Sequence, residues 1–548
     1  MAWKRMVGCL LVVAGGLVGC SEDSRPPDSP DAFVPVADAG PEEGPDGGDA
    51  GPDGGTDGGS EWDGTYVPLE EHGNRVDTGR YSPCEIFSAV RPCGTFSSFD
   101  LGVCNARSLE QEGQEGRYLL AGRMEDGSGA FRYDFAATLA LGADGGAVVF
   151  NGKPATEQRE GRARLFSTVQ TSSDGGARGE VLVTCEAPEP PGFTGCYASC
   201  LNGRMSNQAT FRAERMTWAR GESEAFGLER VSERFVNLAM PADVYVTQNH
   251  AYVVGLSRDG QPGGLSVFDV SDKAAPVHVK TFQFPGDTEW NGVWAKDGAL
   301  YVASAHRGVL LFDIRHPADP QFLRSLSTSN DSVHTVFVEG NRLYATDLAG
   351  VILYDVSNAL EPIELNRYAP FPGINPHDMF ARGDRLYVNY ATEGLIAVDV
   401  SNPQDLRTLG AYSVYDHYSH ASAVATFGGR TIAFMGGEGP FEHLRVLDVT
   451  DPARMVKMGM FQLRPVVSIH NMVLVGKRLY LSWYQEGVRV LDVSNPTQPQ
   501  QVAYFNTFRE NDPGRGNYLD GAIGIRVPGD GYIYAVDTSR GLLILREK

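Results

Sequence analysis

The sequence predicts an all-β chain: a seven-bladed β-propeller preceded by a small, disulfide-stapled antiparallel β domain. Three observations carry this expectation. A strand–strand–aspartate pattern returns at a near-constant interval from Phe235 to the C-terminus. Six cysteines fall together between Cys84 and Cys200. Short alternating runs around those cysteines are separated by turn signals such as Asp126-Gly127 and Asp144-Gly145-Gly146.

The repeat comes first because it is the longest signal. Second strands read Ala251-Tyr252-Val253, Leu300-Tyr301-Val302, Leu343-Tyr344-Ala345, Leu386-Tyr387-Val388, Thr431-Ile432-Ala433, Leu479-Tyr480-Leu481 and Ile533-Tyr534-Ala535. Third strands end at Asp269, Asp313, Asp355, Asp399, Asp448 and Asp492, at successive separations of 44, 42, 44, 49 and 44 residues. A last third strand, Gly541–Leu545, is followed by Arg546 where the aspartate would fall. Four short strands per period near 44 make one propeller blade, whose sheet is too small to bury both faces and therefore stacks on its neighbours. The aspartates precede Val-Ser-type turns, so their expected task is to bond turn backbone, not to catalyse. The chain stops just after a third strand. An open ring would expose a sheet edge, so Leu228–Phe235 is expected to supply the outer strand of the last blade.

The stretches Leu265–Ser271, Val351–Ser357, Leu395–Ser401 and Val488–Ser494 resemble the LVIVD-repeat family, named for its third strand and the following aspartate. The resemblance covers the C-terminal propeller region and not residues 66–223. It implies a β-propeller of the kind found in exported or surface proteins, without a single established activity. Blade five departs most, with His443 in place of the usual glycine and the long 49-residue interval.

At the other end, Lys4 and Arg5 precede an apolar run, Met6–Val18, too short to span a bilayer and suited to a signal peptide over residues 1–19. Leu17-Val18-Gly19-Cys20 resembles a bacterial lipobox, which implies lipid attachment at Cys20 and a place in the cell envelope, at the outer membrane or cell surface. Residues 20–64 are rich in Gly, Pro and Asp and read as a disordered acidic tether. Residues 65–223 form the cysteine-rich β domain and residues 226–548 the propeller. Cys84, Cys93, Cys104, Cys185, Cys196 and Cys200 are expected to form three disulfides, with 15 pairings open.

A net charge of −22 repels phosphate backbones, which argues against a nucleic-acid partner. The one constellation with chemistry is a set of polar residues at the start of the innermost strands. His334, His377 and His470 each precede the second-strand leucine by nine residues, Asn291 holds that register in blade two, and His420 lies two residues further back in blade five. They should gather at one mouth of the central channel. Imidazoles so placed could ligate a transition metal or exchange protons, or could simply hydrate the opening. A seven-blade channel is wide for three rings to reach one ion, and no Asp or Glu shares the register. The sequence therefore supports a non-enzymatic binding scaffold for a protein, glycan or small ligand, with no cofactor, metal or catalytic residue assigned. A metal-assisted hydrolase or lyase at the histidine mouth is the alternative.

Overall fold

Seven antiparallel sheets follow one another from Met240, each a meander running from an inner to an outer strand. In blade one these are Met240–Thr247, His250–Leu256, Gly264–Asp269 and Val277–Phe282. The computed structural model describes residues 62–74, 77–90, 92–110, 115–142, 146–159, 163–171, 176–328, 331–415 and 417–548. The signal segment, Cys20 and all but the end of the acidic tether lie outside them. Among the described residues no helix is long and apolar enough to cross a membrane.

Inner strands contact one another in sequence around the axis, and Met240–Thr247 also meets Ala522–Arg526 of blade seven, which completes the ring. Third strands such as Gly308–Asp313 are buried almost throughout because adjacent blades cover both faces. Six aspartates behave as turn builders: the Oδ1 of Asp269, Asp313, Asp355, Asp399, Asp448 and Asp492 each accepts from the backbone N–H two residues on. The recurring glycine before the third strand also has a steric cause. A Cβ at Gly308, Gly350, Gly394 or Gly487 would lie 2.1–2.3 Å from the carbonyl oxygen ending the outer strand, so the two strands could not close.

The ring is sealed by residues that precede it. Leu228–Arg234 pairs antiparallel with Gly541–Glu547 and gives blade seven its outer strand. Ala225–Phe226 adds a fifth strand to blade six by pairing with Tyr504 and Phe505. Blade seven and blade six are thus both finished by one N-terminal segment.

The cysteine-rich region is more than an open sheet. Gly116–Glu125, Phe131–Leu141, Val148–Phe150, Leu165–Thr171, Ala177–Glu186, Phe193–Leu201 and Arg204–Arg215 form a meander, and the last strand pairs with the first. Residues 153–159 pair at their start with Val148–Phe150 and at their end with Leu165–Thr171. Ala155 N–H donates to Val148 and Thr156 N–H to Ser167, so this strand joins both edges and the sheet closes as an eight-stranded barrel. Tyr118, Leu120, Leu139, Phe150, Phe193 and Phe211 share its apolar core. Disulfides Cys84–Cys196, Cys93–Cys200 and Cys104–Cys185 staple the preceding loop onto two adjacent strands. The strand Phe193–Leu201 was not legible in the sequence because Gly195 and small residues blur its alternation.

Residues 65–74, which the sequence places in the cysteine-rich domain, instead run along blade five. The Tyr66 hydroxyl donates to Asp448 at 2.8 Å, Leu69 N–H to the Lys457 carbonyl at 2.8 Å, and Asn74 to Glu442 at 2.8 Å. Burial opposes ionisation of Glu71, but hydrogen bonds from Arg445 and Tyr412 outweigh it and hold the carboxyl at about 2.

Candidate functional site: a histidine-ringed channel mouth

Each inner strand begins at the same end of the propeller, and most begin with an irregularity. In blade three Val333 pairs with Asp347 and Thr335 with Thr346, so His334 is the extra residue of a β-bulge. Blade five leaves His420 in the same role between Ser419 and Ala421. Ala242 occupies it in blade one, Asn291 and Gly292 in blade two, and Ile523 in blade seven. His377 and His470 stand just ahead of their inner strands, with N–H groups donating to Asn389 and Ser482. A bulge re-aims a side chain without disturbing the ladder beyond it. The two-residue offset of His420 is explained too: its inner strand, Ser419–Phe427, runs seven residues from the bulge to its end, against five from His334 to Glu339.

The five predicted residues come together as an arc. Asn291 Nδ2 lies 3.1 Å from His334 Nε2, and His334 Nε2 lies 3.0 Å from His377 Nε2. Ring centroids of His377 and His420 are 3.9 Å apart, those of His420 and His470 4.5 Å. His470 Nδ1 sits 2.7 Å from the Ile523 carbonyl, which fixes Nδ1 as the donor. The concern that the channel is too wide for these rings is therefore overturned: the bulges carry them into direct contact.

The absence of an acid in register is also corrected, because the carboxyl comes from a different strand. Glu438 follows the second strand of blade five, Arg430–Gly437, and its Oε2 lies 3.9 Å from His377 Nε2 and 3.7 Å from His420 Nε2. The Tyr484 hydroxyl donates to Glu438 Oε1. Tyr484 has φ 30°, a left-handed backbone unusual for an aromatic residue. The sequence signal was Gly436-Gly437-Glu438-Gly439 in the blade that departs most from the repeat.

Burial removes these imidazoles from water and disfavours their charged form. It pushes His420 and His470 down to about 3, pushes His334 down, and with the neighbouring rings takes His377 well below its usual range. Asp378 moves the other way, raised by burial to about 7, and Asp243 to about 6. For the histidines the unfolded chain binds more protons between pH 3 and 6.5, so their stabilisation is complete above about 6.5 and is lost as pH falls. The raised aspartates give the opposite slope, with stability falling as pH rises from about 4 towards 7. His420→Gln should reduce the stability lost between pH 7 and 5 by about 2 kcal/mol. Urea unfolding at both pH values checks this, and an unchanged difference would contradict it.

The barrel docks at this same end. Residues 506–521 link the outer strand of blade six to the inner strand of blade seven. Arg117 donates to the Glu510 carbonyl at 2.9 Å, Arg215 pairs with the Glu510 carboxylate at 2.7 Å, and Trp218 Nε1 donates to Phe508 at 2.8 Å. Leu119, Ala121 and Met216 of the barrel join one apolar cluster with Val467, Ile469, Phe508 and Ile523. The mouth is thus walled on the side of blades five to seven, while Asn291 and His334 remain partly exposed.

Fold and site together define a β-propeller with a polar mouth at the start of its inner strands. Residues 240–283, 376–414 and 470–507, which are blades one, four and six, match the LVIVD repeat. The propeller thus carries LVIVD repeats in three of its seven blades. No curated protein sequence matches it significantly. Among solved structures, it is similar to streptogramin B lyase at 11% identity and TM-score 0.44, covering 59% of this chain and 98% of that one. It is also similar to Sqt1 from Chaetomium thermophilum at 13% identity and TM-score 0.41, covering 59% and 91%. The designed protein Ika8 gives 10% identity and TM-score 0.40, covering 57% and 98%.

Proposed function

We propose that this chain is an envelope protein, lipid-anchored through Cys20, whose propeller binds a small ligand at the histidine-ringed mouth. One observation carries the binding reading: blades two to six each aim a polar side chain into a single opening, through bulges or strand starts that leave the ladders intact. The barrel walls half of that opening, which favours a small ligand over a docked protein.

Both parts have direct tests. Cys20→Ser should abolish incorporation of labelled palmitate and release the protein from the membrane fraction; equal labelling would overturn the anchor. A thermal-shift panel of small carboxylates, short glycans and divalent cations should contain a compound that stabilises the mature protein. That shift should vanish in Asn291→Ala and His334→Ala. A shift that survives both substitutions places the ligand elsewhere, and no shift with any compound counts against a binding mouth.

A further inference from the structure

We propose that His377 Nε2, His420 Nε2 and the Glu438 carboxylate hold a divalent transition-metal ion of the zinc class, with His334 bordering its open coordination position. This deepens the binding reading and rests on it.

The donors are already assembled. One ligand atom from each of His377, His420 and Glu438 lies within 4.8 Å of the other two. A tetrahedral ion with bonds of about 2.0–2.1 Å asks for donors about 3.3 Å apart. The separations from Glu438 Oε2, 3.9 and 3.7 Å, need only small side-chain rotations to reach that.

The hydrogen bonding is incomplete in the way such a site requires. Neither ring nitrogen of His420 makes a hydrogen bond of good geometry, although its side chain is 2% exposed and the His470 backbone and Glu438 lie beside it. A buried polar atom left poorly paired is costly, a penalty that coordination of Nε2 would relieve. Beside them, the Asn291 amide donates to the His334 carbonyl at 3.1 Å, and His334 Nε2 lies 3.0 Å from His377 Nε2, so His334 borders the ion's position.

The carboxyl group is held for the same task. The Tyr484 hydroxyl takes Oε1 of Glu438 and leaves Oε2 towards the imidazoles, the arrangement by which an outer hydrogen bond orients a metal ligand. The left-handed backbone of Tyr484 is kept in place by two N–H groups, Gly487 and Ala522, that donate to its carbonyl. Two nitrogens and a carboxylate suit zinc and its borderline neighbours better than calcium or magnesium. The other close donor group among the described residues, Cys84, Cys104 and Cys185, is consumed by disulfides and offers no thiolate.

The test uses the full mature chain, stripped with chelator, reloaded with Zn²⁺ or Co²⁺ and desalted. Elemental analysis should find about one zinc per chain, and the Co²⁺ form should show the strong visible bands of a low-coordinate ion. Glu438→Gln and His377→Gln should each weaken retention by about tenfold or more. His278→Gln, on the exposed outer strand of blade one, should leave it unchanged. Full retention in both site variants, or no zinc retained by the wild type, would overturn the proposal. Should a variant fail to fold, anomalous diffraction from zinc-soaked wild-type crystals decides: a peak between the three side chains supports the site, and a peak only elsewhere refutes it. Loss of zinc binding alongside a panel ligand that still depends on His334 would refute the metal but keep the binding mouth. Failure of both would remove both.

Discussion

Deleting Ala225–Arg234 is expected to unfold the propeller as a whole, not to trim one blade. Leu228–Arg234 pairs with Gly541–Glu547 along its length, and the buried Leu228 sits in the apolar cluster shared by blades six and seven. Gly541 is shaped for this strand, since a Cβ there would lie 2.4 Å from the Arg234 carbonyl. The nearly buried Arg540 donates to Glu233 on the same strand and would lose that partner. Removing the segment also strips the fifth strand from blade six. Against a typical stability of about 5–15 kcal/mol, the loss of two strand pairings and an ion pair leaves no margin. Circular dichroism melting and limited proteolysis should show a broad transition at lower temperature and cleavage throughout residues 240–548. A single sharp transition at the wild-type temperature would refute the expectation. A peptide spanning residues 225–235, added to the deleted protein, should restore part of the protection by strand addition.

Arg489→Met is expected to be the most damaging single substitution, costing about 3–5 kcal/mol. Arg489 is fully buried within blade six, and its guanidinium meets Glu222 at 2.6 and 3.0 Å, Glu486 at 3.1 Å and Asn506 at 2.9 Å. Met fills similar volume, so the damage comes from the carboxylates left behind. Glu486 keeps Arg464 at 2.5 Å, whereas Glu222 keeps the Asn506 amide at 3.0 Å and the more distant charge of Arg464. Adding Glu222→Gln should therefore recover part of the loss. Urea denaturation of both single variants and the double variant measures the coupling, and strict additivity would mean that the pair does not act as one. Glu222 lies in the link between barrel and closing strands, so this network also fixes where that link enters the ring.

The repeat was legible because each of its features has one local cause. An aspartate bonds a turn, a glycine admits a carbonyl, and an apolar third strand is covered on both faces. The closing strand could be inferred because Leu228–Phe235 resembles the strand that follows each Pro-containing turn, such as Val277–Phe284. The site was legible by half. Asn291, His334, His377, His420 and His470 recur at the starts of blades and can be found by counting. Glu438 and Tyr484 cannot, because each follows a second strand and reaches the mouth from a neighbouring layer. Likewise, barrel closure depends on residues 153–159 pairing on two sides, with Pro154 and charged residues that carry no strand alternation.

The bulges have a consequence for how such a protein can diversify. The residue at a bulge is excluded from the ladder, so its identity is not dictated by cross-strand pairing. Asparagine, histidine, alanine and isoleucine already occupy equivalent places around the ring. The bulge positions that stay partly exposed, Asn291 and His334, can therefore be rewritten one at a time, each changing what the opening recognises while the scaffold keeps its stability. At these two places recognition and folding are encoded in nearly separate sets of residues, and a library randomised at Asn291 and His334 would explore new ligands on an unchanged frame.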